Sequence, residues 1–329
     1  MKPRGIHAAW ALAVAYFAVL WATAPQMGFT RDEGYYFKAA EEYSRWWGVL
    51  FSSRFLEAFG DAEISRHFGY NWEHPALIKL TQGATYHLLH GALGIASPSQ
   101  GFRAAGFLFG ALSLVATFLL GRELVSARVG LLAAALLAVI PRYFYDAHLA
   151  CFDVPITAMW TFALVYFVRA LHAPPEAVRR RAAIAGLVFG LALATKLNAL
   201  FLPFVFVFLW LVAPPDGLRF ALARGPSGGV ELRMPPLPWV LLACLVLGPV
   251  VFVAHWPYLW HHTLERVGQY LGFHLRHEHY PISYFFDLLV RPPFPWRFPV
   301  VMSLITIPGP VLALGGLGLG VSAWRLLRH

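Results

Sequence analysis

Residues 235–260 contain no Asp, Glu, Lys or Arg, and neither do residues 6–30, 104–121, 154–168 and 298–324. Runs of this kind fall in the ~20-residue class that matches the hydrocarbon thickness of a bilayer. A helix that is apolar all round can be solvated by lipid while its backbone groups pair internally. Shorter apolar blocks at 129–141, 182–195 and 197–215 read as helices of the same kind. The composition agrees, with 58% hydrophobic and 13% charged residues against roughly 45–50% and about 25% in soluble domains. A soluble fold of 329 residues has too little interior for so much apolar side chain. The expected fold is therefore all-α, a multi-pass transmembrane helical bundle of about eight spans forming one membrane domain over residues 1–329.

The formal charge of +9 does not point to nucleic acid, because the basic residues punctuate the apolar blocks instead of sharing one polar face. Lys2 and Arg4, Arg122 and Arg128, Arg179 to Arg181, Arg219, Arg224 and Arg233, and Arg325 and Arg328 sit between or beside the runs. Basic loop ends of this kind face an anionic cytoplasmic leaflet. Placing all of them there requires an even number of spans and puts both termini in the cytoplasm, in an inner or plasma membrane. Residues 26–101 and 256–297 then become extracytoplasmic loops. Within the first, residues 74–95 read as a short amphipathic helix on the outer surface, with Leu77, Leu80, Ala84 and Leu88 on its buried face. Ala22-Thr23-Ala24 resembles a signal-peptidase site, but the apolar run before it is long for that role and Pro25 follows, so an uncleaved first helix is the expectation. The two cysteines, Cys151 and Cys244, indicate neither a disulfide framework nor a zinc site.

The outer loops hold most of the acidic residues. Thr30-Arg31-Asp32-Glu33-Gly34-Tyr35-Tyr36 places two adjacent carboxylates at the end of the first span; an interfacial belt would explain Tyr35 and Tyr36 but not the acidic pair. Glu73-His74-Pro75-Ala76-Leu77-Ile78-Lys79 opens the surface helix with proline in its first turn, and Lys79 is either a snorkelling side chain or a cation for a lipid phosphate. From Pro141 to Pro155, Arg142, Asp146, His148 and Asp153 stand at the ends of two apolar helices, where charge is costly unless paired or functional. An Arg142–Asp146 pair at helical spacing leaves His148 and Asp153 unexplained. Lys196, in Ala194-Thr195-Lys196-Leu197-Asn198, marks a tight hairpin and could neutralise a phosphate.

In their order and spacing these signatures resemble the GT-C superfamily of membrane glycosyltransferases, in the branch of the protein O-mannosyltransferases and the aminoarabinose lipid A transferases. The resemblance rests on Asp32-Glu33, on His74-Pro75 with Lys79, on the stretch from Arg142 to Asp153-Val154-Pro155, and on Thr195-Lys196. Such families usually have more spans and often a soluble C-terminal domain. The resemblance implies that Asp32, Glu33 and Asp153 are catalytic. It also implies that Lys79, Arg142 and Lys196 contact the donor phosphate, with His74, Asp146, His148, Tyr35 and Tyr36 completing the substrate site. The activity it implies moves a sugar from a polyprenyl-phosphate carrier to a hydroxyl of an acceptor lipid, glycan or protein on the extracytoplasmic face, with inversion. Membrane lipids would be the remaining partners.

Two other classes remain open on the residues alone. A transporter or flippase of a lipid-linked substrate also buries ionisable groups in a helical bundle, but no internal repeat is visible here. A non-catalytic assembly subunit would need none of the chemistry. No cofactor is required by the motifs. His261, His262, His274, His277, Glu278 and His279 could accommodate a divalent cation, although their spacing fits no strong signature, and a loop covering the donor is the favoured reading.

Overall fold

In the computed structural model, residues 5–212, 221–224, 230–276 and 280–328 are described. The protein is an all-α helical membrane protein. Its first apolar helix, α1 (Ile6–Thr23), is followed by α2 (Glu33–Leu50), α3 (Asp61–Phe68) and α4 (Ala76–Tyr86). The bundle continues with α5 (Pro98–Leu124), α6 (Ala127–Ala138), α7 (Pro141–Ala147), α8 (Asp153–Leu171), α9 (Val178–Leu193), α10 (Leu202–Val212) and α11 (Trp239–His255). Beyond it lie α12 (Thr263–Leu275), α13 (Phe298–Thr306) and α14 (Gly309–Arg328). Two short antiparallel hairpins interrupt the helices: β1 (Ala221–Arg224) with β2 (Val230–Arg233), and β3 (Ile282–Tyr284) with β4 (Asp287–Leu289).

The longest helix, α5, starts where its sequence dictates. Ser97 and Gln100 form a capping box and Pro98 takes the first turn, where its missing N–H is no loss. Glycine then sets how closely its neighbours approach. A Cβ on Gly130 of α6 would run into the Phe118 carbonyl oxygen of α5, and one on Gly106 would lie 2.7 Å from the Leu149 carbonyl oxygen. Neither contact is sterically allowed, so these glycines let α6 and the 147–152 turn sit directly against α5.

Three clusters make the core. One joins α1, α5 and α6 through Leu20, Phe107, Leu114, Phe118 and Ala134. A second joins α8, α9, α10 and α11, with Phe167 stacked on Phe206 at 4.3 Å. The third gathers Tyr43, Phe68, Trp256, Leu259 and Tyr270 from α2, α3, the segment leading into α12 and α12 itself. On the outside of the bundle, Val14, Leu245, Leu317 and Leu319 are well exposed, which suits a surface facing lipid.

Among the described residues, three helices are long and apolar enough to cross a membrane, at Ile6–Gln26, Pro98–Leu124 and Asp153–Leu171, or up to five if each bent pair counts as one span. The expectation of about eight therefore includes helices that are individually short: α9, α10 and α11 have 16, 11 and 17 residues. The run expected as one helix over 298–324 is two, α13 and α14, bent by 120°. Pro308 lies at the break, and Ile307 before it is extended, because proline disfavours the helical conformation in the residue it follows. Pro141 acts likewise on Ile140 between α6 and α7, where the bend is 73°.

The amphipathic reading of the surface helix needs a larger correction. Helix α4 buries Ala76, Ile78, Lys79, Gln82 and Gly83, while Leu88 is 54% exposed and Ala84 is exposed as well. It packs between α2 and α5, with Gly83 against Ser44 and the Ala40 carbonyl. The close helix contact selects small residues at Ala76 and Gly83, while Leu77 and Leu80 stay half-buried against the core clusters, so the expected face is split and not reversed.

Candidate functional site

One carboxylate organises the region where α1 ends and α2, α5 and α8 begin. Glu33 is fully buried, and its Oε1 accepts from Arg103 Nε at 2.7 Å and from the Ala150 N–H at 3.0 Å. Its Oε2 accepts from Arg103 Nη2 at 2.7 Å and from the Thr30 N–H at 3.0 Å. The Arg103 guanidinium also donates to the carbonyls of Met27 and Gly28, at 3.2 and 2.6 Å. Burial alone would raise the Glu33 carboxyl, but Arg103 and the N–H groups of Ala150 and Thr30 outweigh it and hold the group below the usual carboxylate range. Asp32, one residue earlier, is exposed. It caps α2, its carbonyl accepting from the N–H groups of Tyr35 and Tyr36.

Asp32 lines a cavity of about 660 Å³ together with Arg31, Tyr35, Tyr36, Glu73, His74 and Lys196. Phe152 binds the walls together: Tyr36 meets its ring edge-on at 4.6 Å and His74 stacks on it at 4.8 Å. Its neighbour Asp153 begins α8 and pairs with Lys196, Nζ to Oδ1 2.7 Å. A backbone bond from the Leu77 N–H to the Ala194 carbonyl, 3.1 Å, joins the start of α4 to the turn carrying Lys196. The far wall comes from α12 and the segment after it. There His274 Nε2 donates to the Glu73 carbonyl at 2.8 Å, and the Tyr280 ring lies 5.1 Å from the Arg31 guanidinium. Burial, and then the Asp32 carboxylate, push the Tyr36 hydroxyl above its usual range, so it meets a ligand as a neutral donor. Burial, followed by Asp153 and Glu33, pushes the Cys151 thiol up to about 12.

The structure thus gathers Asp32, His74, Lys196, Tyr35 and Tyr36 around one cavity; Asp153 is not part of its lining and reaches it only through its ion pair with Lys196. The other residues singled out from the sequence lie elsewhere. Lys79 is fully buried, and its ammonium donates to Tyr43 Oη, the Asn71 carbonyl and the His74 carbonyl at 2.6, 2.5 and 2.7 Å. Arg142 pairs with Asp146 at 3.0 Å within α7. His148 is buried, with Nδ1 donating to the Phe144 carbonyl at 2.7 Å and Nε2 2.7 Å from Thr23 Oγ1, so it fastens α7 to α1. Two arginines are not among the residues singled out from the sequence: Arg103, one residue before the uncharged run at 104–121, and Arg31, which stands beside Asp32 without an assigned role.

Of the histidines considered for a cation, His261 Nε2 donates to the Phe59 carbonyl at 2.8 Å and His262 lies 3.7 Å from Asp61. His277, Glu278 and His279 lie outside the described residues. Among the described residues no group of three or more His, Cys, Asp or Glu is arranged to hold a metal ion.

A helical membrane protein with a polar cavity at the ends of its apolar helices is the architectural class defined here. The model of the dolichyl-phosphate-mannose-protein mannosyltransferase family matches residues 84–256, more than half of the chain, and the protein belongs to that family. It is a membrane glycosyltransferase of the GT-C type. The match takes in Arg142 to Asp153 and Lys196 but begins after Asp32, His74 and Lys79. No curated protein matches the chain.

Proposed function

We propose that the protein transfers a sugar from a polyprenyl-phosphate carrier to an acceptor hydroxyl, with inversion, in the cavity beside Asp32. The observation that carries this reading is that Asp32 and Lys196 line the same cavity, a base and a cation within one polar space. The Asp32 carboxylate takes the proton of the acceptor hydroxyl as its oxygen attacks the anomeric carbon. The bond from that carbon to the phosphate oxygen breaks, and the phosphate leaves with the electron pair, its charge met by Lys196. His74, Tyr35 and Tyr36 orient sugar hydroxyls, while Asp153 sets the position of Lys196. A single displacement inverts the anomeric configuration. Glu33 and Lys79, with all their polar atoms engaged inside the protein, hold the walls of the site and do not touch substrate.

The arrangement of basic residues supports an extracytoplasmic position for residues 26–101 and 256–297, hence for the cavity, with both termini cytoplasmic. Asp32→Asn tests the mechanism, because it removes the proton acceptor and keeps the shape. Transfer from isolated membranes should fall by about 100-fold or more with the protein still folded and membrane-bound. Retained transfer would remove Asp32 from the role of base.

A further inference from the structure

A second, apolar cavity of about 530 Å³ lies beside the first, and Arg31 lines both. Its walls are Phe29, Phe37 and Phe102, with Gly34 of α2 and the first turn of α5 also on its surface. The aromatic walls are built, not incidental. Phe29 meets Phe37 edge-on at 6.3 Å, Phe37 stacks on Phe102 at 5.0 Å, and Phe102 stacks on Tyr86 at 4.2 Å. Phe29 also lies 4.9 Å from the Arg103 guanidinium that Glu33 holds. The groove opens where the span Pro98–Leu124 begins, which is where a chain leaving the bilayer arrives.

Arg31 differs from the other cations of this region. Arg103 is paired with Glu33, Lys196 with Asp153 and Arg142 with Asp146. Arg31 is exposed and forms no ion pair among the described residues; its guanidinium lies against the Tyr280 ring. A guanidinium with its donors unspent, at the junction of a polar cavity and an apolar groove, suits a monophosphate carrying a hydrocarbon chain. The volume is in the range of small-molecule sites, about 300–1,000 Å³.

We infer that Arg31 grips the phosphate of an isoprenyl monophosphate whose first isoprene units lie in the Phe29–Phe37–Phe102 groove, so that this groove measures the donor's tail. The inference rests on the carrier reading above and assigns the place where the carrier is held. Gly34 supplies the test, because it lines the groove and a Cβ there would meet nothing within 4 Å, so a side chain can be added at that wall.

The experiment measures binding to the full chain in nanodiscs of zwitterionic lipid, with farnesyl phosphate, farnesol, inorganic phosphate and dihexanoyl phosphatidic acid as probes. Wild-type protein should bind farnesyl phosphate most tightly. Arg31→Ala should weaken farnesyl phosphate by about tenfold or more and leave farnesol unchanged. Gly34→Leu should weaken farnesyl phosphate and farnesol but not inorganic phosphate. If the wild type binds farnesyl phosphate and both variants bind it equally well, the groove assignment is overturned while the carrier reading stands. If phosphatidic acid binds as tightly as farnesyl phosphate, the groove takes ordinary phospholipid and the isoprenoid assignment fails. If the wild type binds no isoprenyl phosphate, the carrier reading fails and the groove with it.

Discussion

The ammonium of Lys196 stands 2.7 Å from the carboxylate of Asp153, which ties the turn after α9 to the first residue of α8. Asp153 is 65% exposed in its side chain, and ion pairs so open to water contribute about 0–1 kcal/mol to folding. The pair is thus better suited to setting the charge of the cavity rim than to holding the fold.

Opposite consequences follow for its two members. Lys196→Ala should weaken phosphate-bearing ligands by about tenfold with little change in thermal stability. Asp153→Asn should free the lysine, tighten the binding of farnesyl phosphate and slow transfer through retention of the leaving group. Titrations of both variants with farnesyl phosphate check this, and a loss of affinity in Asp153→Asn would exclude the rim role.

Lys79 is expected to matter for stability and not for the donor. Lys79→Met keeps most of the volume but leaves the carbonyls of Asn71 and His74 without their donor. A buried polar group left unsatisfied costs about 1–3 kcal/mol, so a clear fall in unfolding temperature is expected. The surviving folded fraction should bind farnesyl phosphate as the wild type does. Weaker binding at unchanged stability would return Lys79 to the substrate site.

The membrane class was legible in the sequence because uncharged runs are a property of single segments, and the Arg142–Asp146 pair because its partners are one helical turn apart. The burial of Lys79 was not. Its acceptors are two backbone carbonyls just before α4 and the Tyr43 hydroxyl of α2, which no hydrophobic period reveals, so the leucine spacing alone does not show that α4 buries Ile78, Lys79 and Gln82. Arg103 was missed for a related reason: its partner Glu33 is 70 positions away, and spacing along the chain carries no sign of it. The single-helix reading of 298–324 failed locally, by giving apolarity more weight than Pro308.

Topology can be read by cysteine labelling in a background without Cys151 and Cys244. Ser53 lies in the loop expected outside, and Glu176, exposed between α8 and α9, lies beside the arginines expected in the cytoplasm. An impermeant maleimide added to intact cells should label Ser53→Cys and spare Glu176→Cys. The reverse pattern would place the cavity on the cytoplasmic side.

The buried pair of Glu33 and Arg103 supports the last prediction. The carboxylate joins three segments at once, through Thr30 before α2, Arg103 in α5 and Ala150 before α8, so its loss should loosen both Asp32 and Asp153. Glu33→Gln keeps the shape but leaves a buried guanidinium without its counter-charge, and breaking a buried pair in this way costs about 3–5 kcal/mol. The sign of the pH dependence follows from the lowered pKa of Glu33. In the unfolded chain a glutamate titrates at about 4.3; its stabilisation is complete above that value and is lost as pH falls through the lower folded value. Wild-type protein in nanodiscs should therefore lose melting temperature on acidification below about 4.3, and Glu33→Gln, less stable at neutral pH, should show a smaller loss over the same window. The double variant Glu33→Gln/Arg103→Met removes both charges and should recover part of the neutral-pH stability. Because the Ala150 N–H then loses its carboxylate partner, transfer should remain impaired even where the fold is restored. Equal acid sensitivity of wild type and Glu33→Gln would show that another group carries the pH dependence, and full transfer in the double variant would mean that the pair does not position the site.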